Sequence, residues 1–266
     1  MSVRGGAVAA VAMLVAACSA STDDPTPTAS AAPAPPTTTT PSASPTPTAV
    51  FPGRTWTRAE AGDWSSLDAQ LQRDGSTCVA VVKDGRLVHD AYWNGGAERT
   101  GSRIYSITKS LTALLAGLQV DDGVLALDDA ADEQVTVRDL LSMTSGRRWS
   151  EAADRQMIRA TADQTAFAVA APQQSPPGRE WVYDNVAAQA LEAVLDDAAP
   201  DGDVADMARQ RLLEPLGMRD TTWGRDRAGN ALTYSGAEST CLDLARVGHL
   251  MLNEGRWDGR QLLSPE

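Results

Sequence analysis

The run Ser106-Ile107-Thr108-Lys109-Ser110-Leu111-Thr112-Ala113-Leu114-Leu115-Ala116-Gly117-Leu118 decides how the rest of the chain is read. Ile107, Leu111, Leu114, Leu115 and Leu118 recur at helical spacing, and Gly123 stands where such a helix would stop. The pattern predicts one amphipathic helix with Ser106 at its amino end and Lys109 three positions on, on the same face. A Ser hydroxyl is a weak nucleophile that needs an adjacent base or a strong local field. The amino end of a helix favours a developing anion. A Lys held close in a dry pocket can act as base or as field, provided burial lowers its pKa from about 10.4. A helix-capping Ser beside a solvated Lys would leave the same letters. With 19 Ser and two Lys in the chain, roughly 0.14 Ser-x-x-Lys matches arise by chance, so the motif needs a second element.

Upstream, Cys78–Lys83 and residues 86–93 are two β-rich runs joined by Asp84-Gly85, a strong hairpin signal. Two strands alone are marginal in water and leave open edges, so something else should pair with them. Downstream, Thr136 can cap a short helix over 136–141 with Asp139 at the capping-box position and Gly146 beyond it. Further helical stretches cover 186–197, 203–213 and 240–253, separated by Pro- and Gly-rich turns. The second chemical element, Tyr183-Asp184-Asn185, follows Pro176-Pro177-Gly178 and precedes one of those helices, which places it on a turn. A Tyr beside a Lys can carry a proton, and an Asn amide can hold both the Lys head and a substrate carbonyl. A core aromatic with a wet hydroxyl and a helix-capping Asn are the plainer readings of Tyr183 and Asn185.

With both elements in this order, the chain resembles the serine β-lactamase and penicillin-binding-protein-like superfamily. It looks most like the class C branch, which includes D-Ala peptidases, esterases and 6-aminohexanoate-dimer hydrolases. The family pattern is Ser-x-x-Lys at a helix head, then Tyr-x-Asn, then Lys-Thr-Gly or His-x-Gly on a late strand. Ser106, Lys109, Tyr183 and Asn185 match the first two. Leu140-Leu141-Ser142-Met143-Thr144-Ser145-Gly146, Glu214-Pro215-Leu216-Gly217-Met218 and Gly255-Arg256-Trp257-Asp258-Gly259 resemble the family's secondary phrases. The resemblance implies an α+β fold, an antiparallel sheet flanked by helices plus a helical subdomain. It also implies roles: Ser106 would attack a carbonyl and form an acyl-enzyme, Lys109 would activate it, Tyr183 would shuttle the proton to the leaving group, and Asn185 would orient Lys109 and the substrate. Which of Lys109 and Tyr183 is the base stays open.

One part of the pattern is missing. The only other Lys is Lys83, and neither His89 nor His249 is followed by the required Gly. In the family that strand completes the sheet beside the hairpin and supplies one oxyanion-hole donor, whose loss costs about 10² to 10³ in rate. The chain also stops at Ser264-Pro265-Glu266, the signature of a helix start: a capping Ser, a Pro at the first helical position, an acid in the first turn. Both features lead to the expectation that the C-terminal strands of the sheet are missing from this chain.

The other end reads as an address. Arg4 is followed by an uncharged, largely apolar stretch and then Val15-Ala16-Ala17-Cys18, which resembles a lipobox. Residues 1–17 are expected to be a lipoprotein signal peptide and Cys18 the lipid-bearing residue. Residues 19–50 hold nine Thr, eight Pro, seven Ala and five Ser, too little apolar surface to offset the entropy of ordering. Residues 18–50 therefore read as a disordered tether with an extended, polyproline bias. Residues 51–266 are enough for one sizeable core, and the resemblance implies that they form the hydrolase domain, incomplete at its C-terminus. With Cys18 lipidated, Cys78 and Cys241 remain, and an even number in an oxidising compartment suggests one disulfide.

Composition excludes several classes. Against 35 Asp+Glu stand 23 Lys+Arg, a net charge of −12, so a nucleic-acid partner is not expected. No run of about 18 apolar residues exists for a polytopic membrane protein. No Gly-x-Ser-x-Gly supports an α/β-hydrolase, and two His 160 positions apart offer no metal ligand set. The expected protein is a monomeric, lipid-anchored serine hydrolase on the outer face of a cell membrane. It needs no metal or cofactor and acts on an amide, ester or β-lactam carbonyl of a small molecule or peptide. The alternative is a non-catalytic surface lipoprotein that binds cell-wall peptide.

Overall fold

The computed structural model describes residues 50–265 apart from 61, 200 and 201. The expected signal peptide, Cys18 and the expected tether lie outside the described residues, save Val50.

Helix α1 (Ser65–Arg73) leads into the hairpin of β1 (Cys78–Lys83) and β2 (Arg86–Tyr92). The strands are antiparallel, with Cys78 opposite Tyr92, Val79 opposite Ala91, and a bulge between Val81 and Val82. Asp84 and Gly85 both have positive φ, at 49° and 72°, as a two-residue hairpin turn of this hand requires. Gly85 is needed for space as well, because a Cβ there would overlap the carbonyl of Val50. The incoming chain covers part of the outer edge of β2: Leu87 N donates to Thr57 O at 2.9 Å and Ala59 N to Leu87 O at 3.0 Å. On the face, Trp64 stacks on His89, whose Nε2 lies 2.7 Å from Asp68 on α1.

Three short strands form a second sheet in the order β3 (Ser102–Arg103), β5 (Ala237–Ser239), β4 (Thr222–Trp223). Helix α9 (Cys241–Leu252) follows β5 directly and packs on β1, where a Cys78–Cys241 disulfide joins the two with Cα atoms 6.2 Å apart. A last hairpin, β6 (Arg256–Trp257) with β7 (Arg260–Gln261), closes the described chain.

The remaining elements are helical: α2 (Ile107–Asp121), α3 (Val137–Leu141), α4 (Glu151–Ala160), α5 (Gln164–Val169), α6 (Asn185–Asp197), α7 (Val204–Ala208) and α8 (Glu214–Leu216), with a π-helical turn at Arg209–Leu213 between the last two. Leu111, Leu115 and Leu118 of α2 are buried among Leu140, Leu191, Leu195, Leu212 and Leu250. Burying such side chains contributes about 1.5–3 kcal/mol each, which fixes one face of α2 in the core. Ile107 departs from the expected apolar stripe: it is 48% exposed, on the first turn beside Ser106. Thr136 and Asp139 form the expected reciprocal capping box of α3. Helices α1, α4 and α5 are additions to the sequence reading. Among the described residues α1 buries no side chain and α4 buries Met157 alone, so each adds little to the core and neither stands out as an apolar run.

Candidate active site

The nucleophile candidate sits where the small sheet hands over to the central helix. Ser102 and Arg103 pair with Ser239 and Glu238, and Ile104 N donates to Ala237 O at 3.1 Å. Tyr105 then adopts a φ of 46°, a left-handed conformation that costs a non-Gly residue about 1 kcal/mol or more. That residue turns the chain from strand into helix and leaves Ser106 exposed on the first turn of α2. Thr108, fully buried, accepts from Ala237 N at 3.1 Å and ties the helix start to β5. Ser106 makes no capping hydrogen bond with its side chain. Its oxygen instead faces Lys109.

Lys109 Nζ lies 3.1 Å from Ser106 Oγ, 3.2 Å from Tyr183 Oη, 2.7 Å from Asn185 Oδ1 and 2.9 Å from the Tyr234 carbonyl. It also stands over the rings of Tyr183 and Tyr234, at 4.9 and 5.8 Å from their centroids. The structure thus brings all four candidates, Ser106, Lys109, Tyr183 and Asn185, into one cluster. Burial pulls the Lys109 amine below its ordinary pKa, against opposing pulls from Tyr183, Asp154 and Asp184. For Tyr183, burial alone would raise the phenol; hydrogen bonds with Ser106 and Lys109 and the Lys109 charge outweigh it and bring the pKa down. Both shifts move the pair toward neutral-range proton exchange.

The Tyr-Asp-Asn segment is held by the loop after α3. Val182 N donates to Met143 O at 3.0 Å and Gly178 N to Thr144 O at 2.8 Å. Asp184, not Asn185, caps α6, accepting from Val186 N at 2.7 Å, and this frees the Asn185 amide for the site. Asp184 is nearly buried, and desolvation raises its carboxyl to about 6.

Two contributors have no counterpart in the sequence reading. One is the Tyr234 carbonyl, whose loop is pinned from several sides. Thr112 donates to Thr233 O at 2.9 Å, the Gln189 amide to Ala231 O at 2.9 Å, and Tyr234 Oη to Gln164 Oε1 at 2.9 Å. The other is Asp154 on α4, which accepts from Asn185 Nδ2 at 2.8 Å. A backbone carbonyl has no sequence signal at all, and an Asp in the first turn of a helix reads as a dipole partner. The remaining singled-out residues lie elsewhere. Cys78 and Cys241 bridge β1 to α9, His89 meets Asp68, and His249 Nε2 lies 2.8 Å from Val50 O. No group of three or more potential metal ligands occurs among the described residues.

Residues 65–265 match the family model described as Beta-lactamase. No curated protein matches the chain. Solved structures with the same fold include a protein assigned as a 6-aminohexanoate-dimer hydrolase from Bacillus anthracis, 20% identical with a TM-score of 0.69 over 81% of this chain and 67% of that one. A protein assigned as a beta-lactamase from Bacteroides dorei is 22% identical, with a TM-score of 0.65 over 77% of this chain and 68% of the other. An octameric penicillin-binding protein homologue from Pyrococcus abyssi, also 22% identical, gives 0.59 over 76% and 57%. At these identities the likeness is one of fold.

Proposed function

Because the chain belongs to the Beta-lactamase family, we propose that it is a serine hydrolase working through an acyl-Ser106 intermediate. The observation that supports this most is the Lys109 amine, half-buried and within 3.2 Å of Ser106 Oγ, Tyr183 Oη and Asn185 Oδ1 together. In this reading the neutral amine takes the Ser106 proton as Oγ attacks the carbonyl carbon. Collapse of the tetrahedral intermediate breaks the bond to the leaving group, which receives a proton through Tyr183. Water then attacks the acyl carbon and gives a proton back through the same groups, releasing the acid and restoring Ser106. The amino end of α2 supports negative charge on the oxyanion, with the Ser106 N–H as one donor. The substrate class is an amide, ester or β-lactam; all three share this chemistry and are separated by pocket shape.

Location is part of the proposal. Residues 1–17 would direct export, Cys18 would carry the lipid, and residues 18–50 would hold the domain of residues 51–266 off the membrane. The Cys78–Cys241 bridge is in keeping with an oxidising compartment. No described helix is long and apolar enough to cross a membrane.

Incubation with a labelled fluorophosphonate and, separately, a labelled penicillin tests the chemistry. Ser106-dependent labelling is expected, abolished by Ser106→Ala. Absence of labelling by both probes would refute the enzyme and favour a non-catalytic binder of cell-wall peptide. Metabolic labelling with a fatty acid tests the anchor: incorporation should vanish in Cys18→Ser.

A further inference from the structure

The Asn185 amide is read on both sides by groups that tolerate only one orientation. Its Nδ2 donates to Asp154 Oδ2 at 2.8 Å, and its Oδ1 accepts from Lys109 Nζ at 2.7 Å. A flip would set an NH₂ against the amine hydrogens and a carbonyl against a carboxylate. Among the four neighbours of Lys109, the Asn185 and Tyr234 oxygens can only accept, whereas the Ser106 and Tyr183 hydroxyls can accept or donate. A neutral amine has two hydrogens and one lone pair. With both hydrogens committed to the two pure acceptors, the lone pair is left for a hydroxyl.

We infer that Asp154 is a positioning residue: by fixing the Asn185 amide, it keeps the Lys109 lone pair directed at the hydroxyls of Ser106 and Tyr183. The inference rests on the acyl-serine reading and extends it. Without Asp154, the amide can turn its NH₂ toward Lys109 and occupy the lone pair that Ser106 needs. A second observation points the same way. The other carboxyl oxygen of Asp154, Oδ1, is buried with no partner. A part-buried carboxylate whose buried oxygen is left unsatisfied costs stability, which argues for a use in the site. Asp154 also acts on Lys109 through its charge, and the test must separate the two effects.

The test combines labelling kinetics with a spectroscopic readout. Fluorophosphonate labelling rates are measured against pH for the wild type, Asp154→Ala, Asp154→Asn, Asn185→Ala and the Asp154→Ala/Asn185→Ala pair. Asp154→Ala should slow labelling by about 10–100-fold, the range typical of partners that orient a reacting side chain. Asp154→Asn, which keeps an acceptor oxygen, should lose less. The pair should be no slower than Asn185→Ala alone, since Asp154 acts through the amide. In parallel, the side-chain NH₂ signals of Asn185, one of four Asn in the chain, and the ¹⁵N titration of Lys109, one of two Lys, are followed by NMR. Slow exchange of the Asn185 NH₂ should be lost in Asp154→Ala. The change in the Lys109 midpoint caused by Asp154→Ala should shrink in the Asn185→Ala background. Equal effects of Asp154→Ala with and without Asn185, or an unchanged Asn185 signal, would overturn the inference. If the wild type itself fails to label, the acyl-serine reading falls, and the two NMR readouts still decide the role of Asp154.

Discussion

The disulfide between Cys78 and Cys241 gives the prediction with the clearest magnitude. It closes a sequence separation of 163 residues and joins the first residue of the hairpin to the first residue of α9. The loop-closure estimate for a cross-link of that span is about 5 kcal/mol at 25 °C, although bridges of this kind more often contribute about 2–4. Replacing both cysteines, Cys78→Ala with Cys241→Ala, is therefore expected to cost about 3–5 kcal/mol. For a domain of this size that lowers Tm by roughly 10–15 °C. Urea unfolding followed by circular dichroism and tryptophan fluorescence measures it. The m-value should rise as the midpoint falls, because the uncrosslinked unfolded chain exposes more surface. The folded site should survive, since β5 holds the approach to Ser106 through Ile104 N to Ala237 O and Ala237 N to Thr108 Oγ1, bonds that do not involve sulfur. Labelling of Ser106 well below Tm should thus be unchanged. A double variant within about 1 kcal/mol of the wild type, with the same m-value, would refute the reasoning, for it would mean that the bridge constrains nothing the unfolded chain would otherwise explore.

Other expectations follow from the site and the hairpin. Lys109→Met and Tyr183→Phe should each slow fluorophosphonate labelling by about 10²–10⁴-fold, the usual contribution of a positioned acid or base, with the fold intact by circular dichroism. Labelling of the wild type should rise with pH through the lowered Lys109 pKa, because the base proposed for Ser106 is the neutral amine; a rate that falls with pH over that range would contradict it. Burial raises the Asp184 carboxyl from its ordinary 3.8 to about 6, so the folded state retains its proton longer and stability falls as pH rises from about 4 to about 6. Asp184→Asn keeps the cap and removes the buried charge, so it should stabilise by up to about 3 kcal/mol at pH 7.5 and by little at pH 4, measured by urea unfolding at both. Gly85→Ala meets both a φ of 72° and the Val50 carbonyl, and should destabilise by at least about 1 kcal/mol in the same assay.

Local chemistry was legible wherever it depends on near neighbours in sequence. Asp84-Gly85 sets its own backbone conformation, Thr136 and Asp139 reach one another across one turn, and the apolar spacing of Leu111, Leu115 and Leu118 places one face of α2 in the core. The hidden helices are those whose stability comes from docking. α4 is polar on average and buries one Met, so its short apolar stripe has too little area to hold a helix by itself. Asn185 shows the limit at a single residue. Its neighbour Asp184 takes the cap, a choice between two good capping residues that the tertiary position of Lys109 decides.

By itself, the sequence determined that a Ser and a Lys share one face at the head of an apolar helix and that a Tyr and an Asn sit at the start of another. Spacing along a helix is a local property, fixed by 3.6 residues per turn. Only the tertiary structure decided what surrounds the amine. The oxygens of Asn185 and Tyr234 reach Lys109 from 76 and 125 residues away, and Asp154 reaches Asn185 from 31. Desolvation of Lys109 and the sharing of its hydrogens depend on those long-range contacts. They arise from packing of α2, α4 and α6 around a common core, and no local pattern encodes them.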